Sequence, residues 1–180
     1  ELPIAHFAAF RSGMISIPLF ALFGEDALEF RLSNSEARAI VTDASGWEKL
    51  AKIRDRLPAL KNVYVIGGRA PAGTKSFWSE IKAASPDFAT VDTSCDDPAL
   101  IIYTSGTTGR PKGAVLSHNN LFHGALNICI SLDWRAGDRA LVAMSLFHIG
   151  ALIVSLINVY LGATTVLMRN FDPDAFLRDV

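Results

Sequence analysis

The sequence predicts an α/β fold, a mostly parallel sheet with helices on both faces, and three observations carry that expectation. Short apolar, β-rich runs alternate with longer segments of helical character along the chain, the order from which parallel sheets are built. Half of the residues are hydrophobic and 19% are charged, which is ample material for a buried core in 180 residues. The longest uncharged stretch, Ala140 to Met168, is broken by His148, Gly150, Asn158, Gly162 and Thr164-Thr165 into strand, helix and strand. Strands covered on both faces read as unbroken apolar runs, and the helix lying on them can be nearly as apolar.

Taken in order, the first elements are a helix at Leu2 to Arg11, a strand at Ile15 to Pro18, a helix at Asp26 to Ser33 and a strand at Ala39 to Thr42. Trp47 to Leu57 reads as a helix ending at Pro58, Asn62 to Ile66 as a strand stopped by Gly67-Gly68, and Ser76 to Ala84 as a helix before Pro86. Gly67-Gly68-Arg69-Ala70-Pro71 lacks the G-x-G-x-x-G spacing of a dinucleotide site and suits a surface turn. Residues 1–84 thus form the first α/β units, and the polar, proline-bounded residues 85–98 form a linker. Residues 99–180 hold the remaining units. Asp96 and Asp97 in the linker read equally well as solvated carboxylates and carry no expected chemistry.

The run Pro98 to Tyr103 predicts a buried strand, and the loop that leaves it is the most informative passage of the chain. Tyr103 to Gly113, YTSGTTGRPKG, combines Thr104, Ser105, Thr107 and Thr108 with Gly106, Gly109, Gly113 and Lys112. Glycines tolerate positive φ and let main-chain N–H groups approach an anion, hydroxyls add donors, and the lysine adds a mobile charge. Such a loop at a strand end suits a polyphosphate. It is not a Walker A motif, because Lys112 follows Gly109 by three positions and is itself followed by glycine.

Beyond the loop, Ala114 to Leu116 predicts a short returning strand, and Ser117 caps a helix from about Asn119 to Ser131. His118 and His123 lie on different helical faces, which favours local packing over a metal pair. A strand follows at Arg139 to Ala143, a helix at Ile149 to Tyr160 and a strand at Ala163 to Met168. An amphipathic helix begins after Asp172-Pro173. The Ala140–Met168 stretch is long enough to admit a membrane span, and its division into three elements makes that the weaker reading.

A net charge of −1 and the lack of a basic run argue against a nucleic-acid surface. Cys95 and Cys129 stand far apart without a C-x-x-C arrangement, so neither a zinc site nor a disulfide framework is expected and a reducing cytoplasm is the natural compartment.

The segment Tyr103 to Gly113 resembles the signature loop of the adenylate-forming superfamily, which includes acyl-CoA synthetases, firefly luciferase and nonribosomal-peptide adenylation domains. Ser145-Leu146-Phe147-His148-Ile149-Gly150 is similar to its second motif, P-L-F-H-x-x-G, with Ser145 in place of the proline and Ala151 in place of the final glycine. Phe10 to Leu19, and Gly162 to Leu167 before Phe171-Asp172-Pro173, extend the resemblance over nearly the whole chain. The apolar Phe20, Leu22 and Phe23 are most similar to acyl- and aryl-CoA ligases.

The resemblance implies part of the large N-terminal domain of an adenylate-forming ligase that joins a small-molecule carboxylate to ATP and passes the acyl group to coenzyme A. It implies that Ser105, Gly106, Thr107, Thr108 and Gly109 wrap the β- and γ-phosphates, that Thr104 touches Mg²⁺ as well as phosphate, and that Lys112 neutralises charge there. His148 would line the acyl-adenylate pocket, with a packed core histidine as its competing role. The family's later motifs and its C-terminal domain find no match before Val180, both ends read as cut, and the 180 residues alone are expected not to catalyse. The alternative is a degenerate or regulatory nucleotide-binding remnant.

Overall fold

The computed structural model of the chain describes residues 1–104, 110–168 and 171–179. In chain order its elements begin with α1 (Leu2–Arg11), α2 (Glu25–Asn34), β1 (Ala39–Thr42), α3 (Ala44–Ile53), β2 (Asn62–Val65), β3 (Lys75–Ser76) and α4 (Phe77–Ala83). They continue with β4 (Pro98–Thr104), β5 (Lys112–Ser117), α5 (His118–Ser131), β6 (Arg139–Val142), α6 (Ile149–Leu161), β7 (Thr164–Leu167) and α7 (Pro173–Asp179). The chain divides into two compact units, Leu19–Thr90 with Glu1, and Leu2–Pro18 with Val91–Val180.

In the first unit β1, β2 and β3 form a parallel sheet in that order, with Ala39 opposite Asn62 and Val65 opposite Ser76. Its core is the cluster Leu28, Leu32, Leu50, Ile53, Leu57, Leu60, Val63 and Val65. The alternating burial of β2, with Val63 and Val65 inward, is the period-2 pattern of a strand covered on its core face. Helix α3 starts three residues before the position expected from Trp47, because the Asp43 carboxylate accepts the Gly46 N–H at 2.8 Å and caps it. That same hydrogen bond is the chief reason the Asp43 carboxyl titrates below its usual range. The helix then tightens into a 3-10 turn at Arg54–Arg56 ahead of Pro58.

In the second unit β4 pairs antiparallel with β5, and β6 pairs parallel with β7 across helix α6. The strand–helix–strand reading of residues 139–168 therefore holds, and no helix among the described residues is long and apolar enough to cross a membrane. The expected strand at Ile15 to Pro18 is reduced to a single parallel bridge, Ser16 to Leu100 of β4. Ser16 N–H donates to Ala99 O and Ile101 N–H donates to Ser16 O, each at 2.9 Å. The next rung of a parallel ladder would need an N–H at position 18, where proline has none.

Hairpin β4–β5, α5 and α6 share one core. Ala99, Leu100, Leu121, Ala125, Leu152, Ile153 and Ile157 are buried together, and Ile102, Leu116 and Ile149 pack against them. Helix α5 opens on the expected cap: Ser117 Oγ accepts the Asn120 N–H and the Asn120 side chain accepts the Ser117 N–H, a reciprocal capping box. Helix α6 closes on Gly162 in the left-handed region (φ 69°), with Ala163 N–H returned to Asn158 O at 2.8 Å.

Candidate functional site

The site grows from β4, whose Ala99 and Leu100 are fully buried while its far end, Thr104, is exposed. The register shifts between Pro98 and Leu100, a bulge in β4, and the Ala99 carbonyl accepts the Ser16 N–H on the strand's other edge. From Leu100 outward the register is regular, and it ends with Tyr103 opposite Gly113 and Thr104 opposite Lys112. The glycine-rich loop is thus carried by an antiparallel hairpin, whose returning strand β5 contains the expected Ala114 to Leu116. Ser105, Gly106, Thr107, Thr108 and Gly109, the expected phosphate cradle, lie outside the described residues.

Thr104 and Lys112 are brought together as the last described pair of the stem, both exposed. Thr104 Oγ1 donates only a long 3.5 Å contact to Lys112 O, which leaves its oxygen lone pairs available. A hydroxyl oxygen is a hard donor of the kind Mg²⁺ accepts, and Thr104 offers one such donor at the end of the stem. Among the described residues no group of three His, Cys, Asp or Glu side chains gathers to hold a metal.

Gly113 departs from the expectation attached to it. It is not at positive φ, and it sits within β5. A Cβ there would come within 3.0 Å of Ile101 Cγ2 and 3.4 Å of the Tyr103 ring, so side chains across the hairpin crowd the position and favour glycine.

His148 stands at the junction between β6 and α6. Its Nδ1 accepts the Gly150 N–H at 3.2 Å and caps α6, which fixes the proton on Nε2 when the ring is neutral. The side chain is exposed, so the packed-core alternative does not describe it. Among the described residues no hydrogen bond joins His148 to Thr104 or Lys112. The core links them instead, because Ile149, next to His148 in α6, and Ile102, two residues before Thr104 in β4, pack on the same cluster.

The other singled-out side chains have local roles. His118 meets Phe10 edge-on at 6.0 Å, and His123 lies exposed beside Phe122. The Asp97 carboxylate accepts the Ser94 N–H, and the Cys95 and Asp97 carbonyls accept the first N–H groups of α5. A cavity of about 270 Å³ lies between α1, α5 and α6, and its lining of Phe10, Leu121, Phe122, Leu156 and Tyr160 among others includes neither Thr104, Lys112 nor His148.

One residue that the sequence reading passed over is His6. It is 2% exposed, stacks on Phe10, and places Nδ1 2.7 Å from Ser16 Oγ, behind the bridge to β4. Burial pushes its pKa from 6.5 down to about 4, so the ring is neutral near pH 7. Its signal in sequence was a lone histidine inside an otherwise apolar helical run.

The described stem of the hairpin thus ends on Thr104 and Lys112 and is seated on an α/β core. The chain belongs to the AMP-binding enzyme family, whose model matches residues 1–180. It is 35% identical over 175 residues to a feruloyl-CoA synthase of an Amycolatopsis species, across 97% of this chain and 33% of that protein. The structure resembles ATP-bound MatB from Rhodopseudomonas palustris with a TM-score of 0.86 at 31% identity, covering 98% of this chain and 34% of the other. It also resembles a long-chain-fatty-acid-CoA ligase, FadD1, from Archaeoglobus fulgidus with a TM-score of 0.88 at 27% identity, covering 98% and 34%. The chain spans about a third of the length of the curated relatives it matches.

Proposed function

We propose that this chain supplies the triphosphate-holding part of an AMP-forming acid–thiol ligase, which activates a carboxylate with ATP as an acyl-adenylate and transfers the acyl group to coenzyme A. The observation that carries the reading is the pairing of Thr104 with Lys112 at the mouth of the loop. The feruloyl-CoA synthase likeness and the apolar Phe20, Leu22 and Phe23 favour an acyl or aryl carboxylate.

In this reading the carboxylate oxygen attacks the α-phosphorus, the bond to the pyrophosphate oxygen breaks, and a thiol later displaces AMP from the acyl carbonyl. There is little covalent work for side chains, and catalysis rests on positioning and charge. Lys112 sets its ammonium against the leaving pyrophosphate, and Ser105 to Gly109 offer hydroxyl and main-chain donors to the β- and γ-phosphates. Thr104 holds one oxygen toward phosphate and Mg²⁺, which when bound neutralises charge on the triphosphate. His148 presents its Nε2 edge to the acyl side while Nδ1 remains engaged with α6. The cytoplasm fits the two free cysteines, and the reading calls for neither nucleic acid nor a membrane span.

The test is calorimetric titration of Mg·ATP into the chain and its Lys112→Ala variant. A charge-assisted contact of about 1.5–3 kcal/mol predicts affinity about 10- to 100-fold weaker in the variant. Equal affinity in the two proteins would remove the reading. Carboxylate-dependent ATP/pyrophosphate exchange is expected to be absent from these 180 residues alone. A native product near the 19.5 kDa of this chain would turn the proposal toward a nucleotide-binding remnant, and a much larger one would support the ligase.

A further inference from the structure

The last two pairs of the β4–β5 stem face opposite ways. Side chains alternate along a strand, so Ile102 and Thr104 share one face with Ala114 and Lys112, and Ile101 and Tyr103 share the other with Val115 and Gly113. The first face runs into the core through Ile102. On the second face Val115 is 56% exposed, and the position opposite Tyr103 carries no side chain. The Tyr103 ring and the Ile101 side chain share that vacancy: a Cβ built on Gly113 would be 3.4 Å from both Cε1 and Cζ of the ring and 3.0 Å from Ile101 Cγ2. An aromatic ring laid over a cross-strand glycine is a recognised way to pin the register of an exposed strand, and Lys112 to Val115 are all exposed.

We propose that Tyr103 and Gly113 are a positioning pair for nucleotide binding, the ring over the glycine fixing the stem so that the next pair, Thr104 and Lys112, meets the triphosphate in register. The role is distinct from ligand contact. Tyr103 points away from the face that carries Thr104 and Lys112, and it acts on the ligand through them. A one-residue slip of β5 would send Lys112 to the face of Tyr103. The pair also accounts for glycine at position 113, which φ does not explain. This inference rests on the triphosphate reading above.

The experiment compares the chain with Tyr103→Phe, Tyr103→Leu, Gly113→Ala and the double variant Gly113→Ala/Tyr103→Ala. Each is titrated with Mg·ATP, and the Gly113 Hα shift is read by NMR as a marker of the ring above it. Tyr103→Phe keeps the ring and should keep the Gly113 Hα shift. Tyr103→Leu should lose the ring-current shift and bind about 10-fold more weakly, a loss of about 1.4 kcal/mol. Gly113→Ala should weaken binding to a similar degree, and the double variant should bind better than the sum of its two single losses predicts. Tyr103→Leu binding as tightly as the parent would overturn the inference, as would a Gly113 Hα shift unchanged in that variant. Failure of the parent chain to bind Mg·ATP defeats the triphosphate reading and, with it, the positioning role. A ring-current shift surviving in that case would still establish the Tyr103–Gly113 contact itself.

Discussion

Acidification should weaken the second unit through His6, and the size of the effect follows from its burial. The ring is 2% exposed, accepts or donates one hydrogen bond at Nδ1 to Ser16, and has no partner for Nε2 among the described residues. A charged imidazolium there would lack both water and a counter-charge, which is why the folded pKa falls from 6.5 to about 4. Between those values the unfolded chain carries a proton that the folded chain refuses, so the unfolded state binds more protons and stability rises with pH across that window. Full stability is present above pH 6.5 and its loss is complete below pH 4. The drop comes to about 2 kcal/mol at pH 5 and about 3 kcal/mol at its limit, on 1.36 kcal/mol per unit. Trp134 packs in this unit's core while Trp47 packs in the other, so its fluorescence in a Trp47→Phe/Trp78→Phe background follows the second unit. Urea unfolding at steps from pH 7.5 to 4.5 would be compared with His6→Asn, which keeps a polar atom toward Ser16 and does not titrate. The parent should lose stability more steeply than the variant by about 2 kcal/mol at pH 5. Parallel curves for the two proteins would refute the reasoning.

Substitutions at three residues test the local devices around the site. Ser117→Ala removes the capping box of α5 and should cost about 1 kcal/mol in urea unfolding. Gly162→Ala forces a side chain into the left-handed region at the end of α6 and should cost about 1 kcal/mol, although nothing lies within 4 Å of the added Cβ. His148 has a separable pair of roles. His148→Ala should destabilise α6 by about 1 kcal/mol, and His148→Asn, which retains a capping acceptor, should recover most of that loss. In a protein showing carboxylate-dependent exchange, neither variant should restore the parent rate, and full activity in His148→Asn would reduce His148 to a cap.

The sequence showed an element where one local rule dominated, and failed where a partner strand decided. Helix α1 and strand β1 lie at the expected residues, and Ser117 caps α5 as its spacing predicts. The β6–α6–β7 unit was legible because glycine and polar residues punctuate an apolar run that only burial explains. The region of Ile15 to Pro18 looked equally strand-like, yet a ladder is a property of two chains of donors and acceptors, and Pro18 ends this one after a single bridge. Helix α3 begins three residues before its expected start at Trp47, because the Asp43 carboxylate accepts the Gly46 N–H and caps it there.

At the site the same division holds, and it explains why the loop was easier to read than its support. Hydroxyls, glycines and a lysine announce anion chemistry by type and spacing alone, so Thr104 and Lys112 were legible before any pairing was known. Their joint presentation was not legible, since it depends on the register that sets Tyr103 opposite Gly113. Gly113 was assigned a backbone reason in common with its neighbours, and the reason lies in the side chains across the strand. His6 is further from view: ten residues separate it from Ser16, through whose bridge it is joined to Leu100 of β4. Residues that touch the ligand can be recognised by their chemistry. Residues that aim them are recognised only by their neighbours, and here those neighbours are Leu100, buried in β4, and the glycine opposite Tyr103.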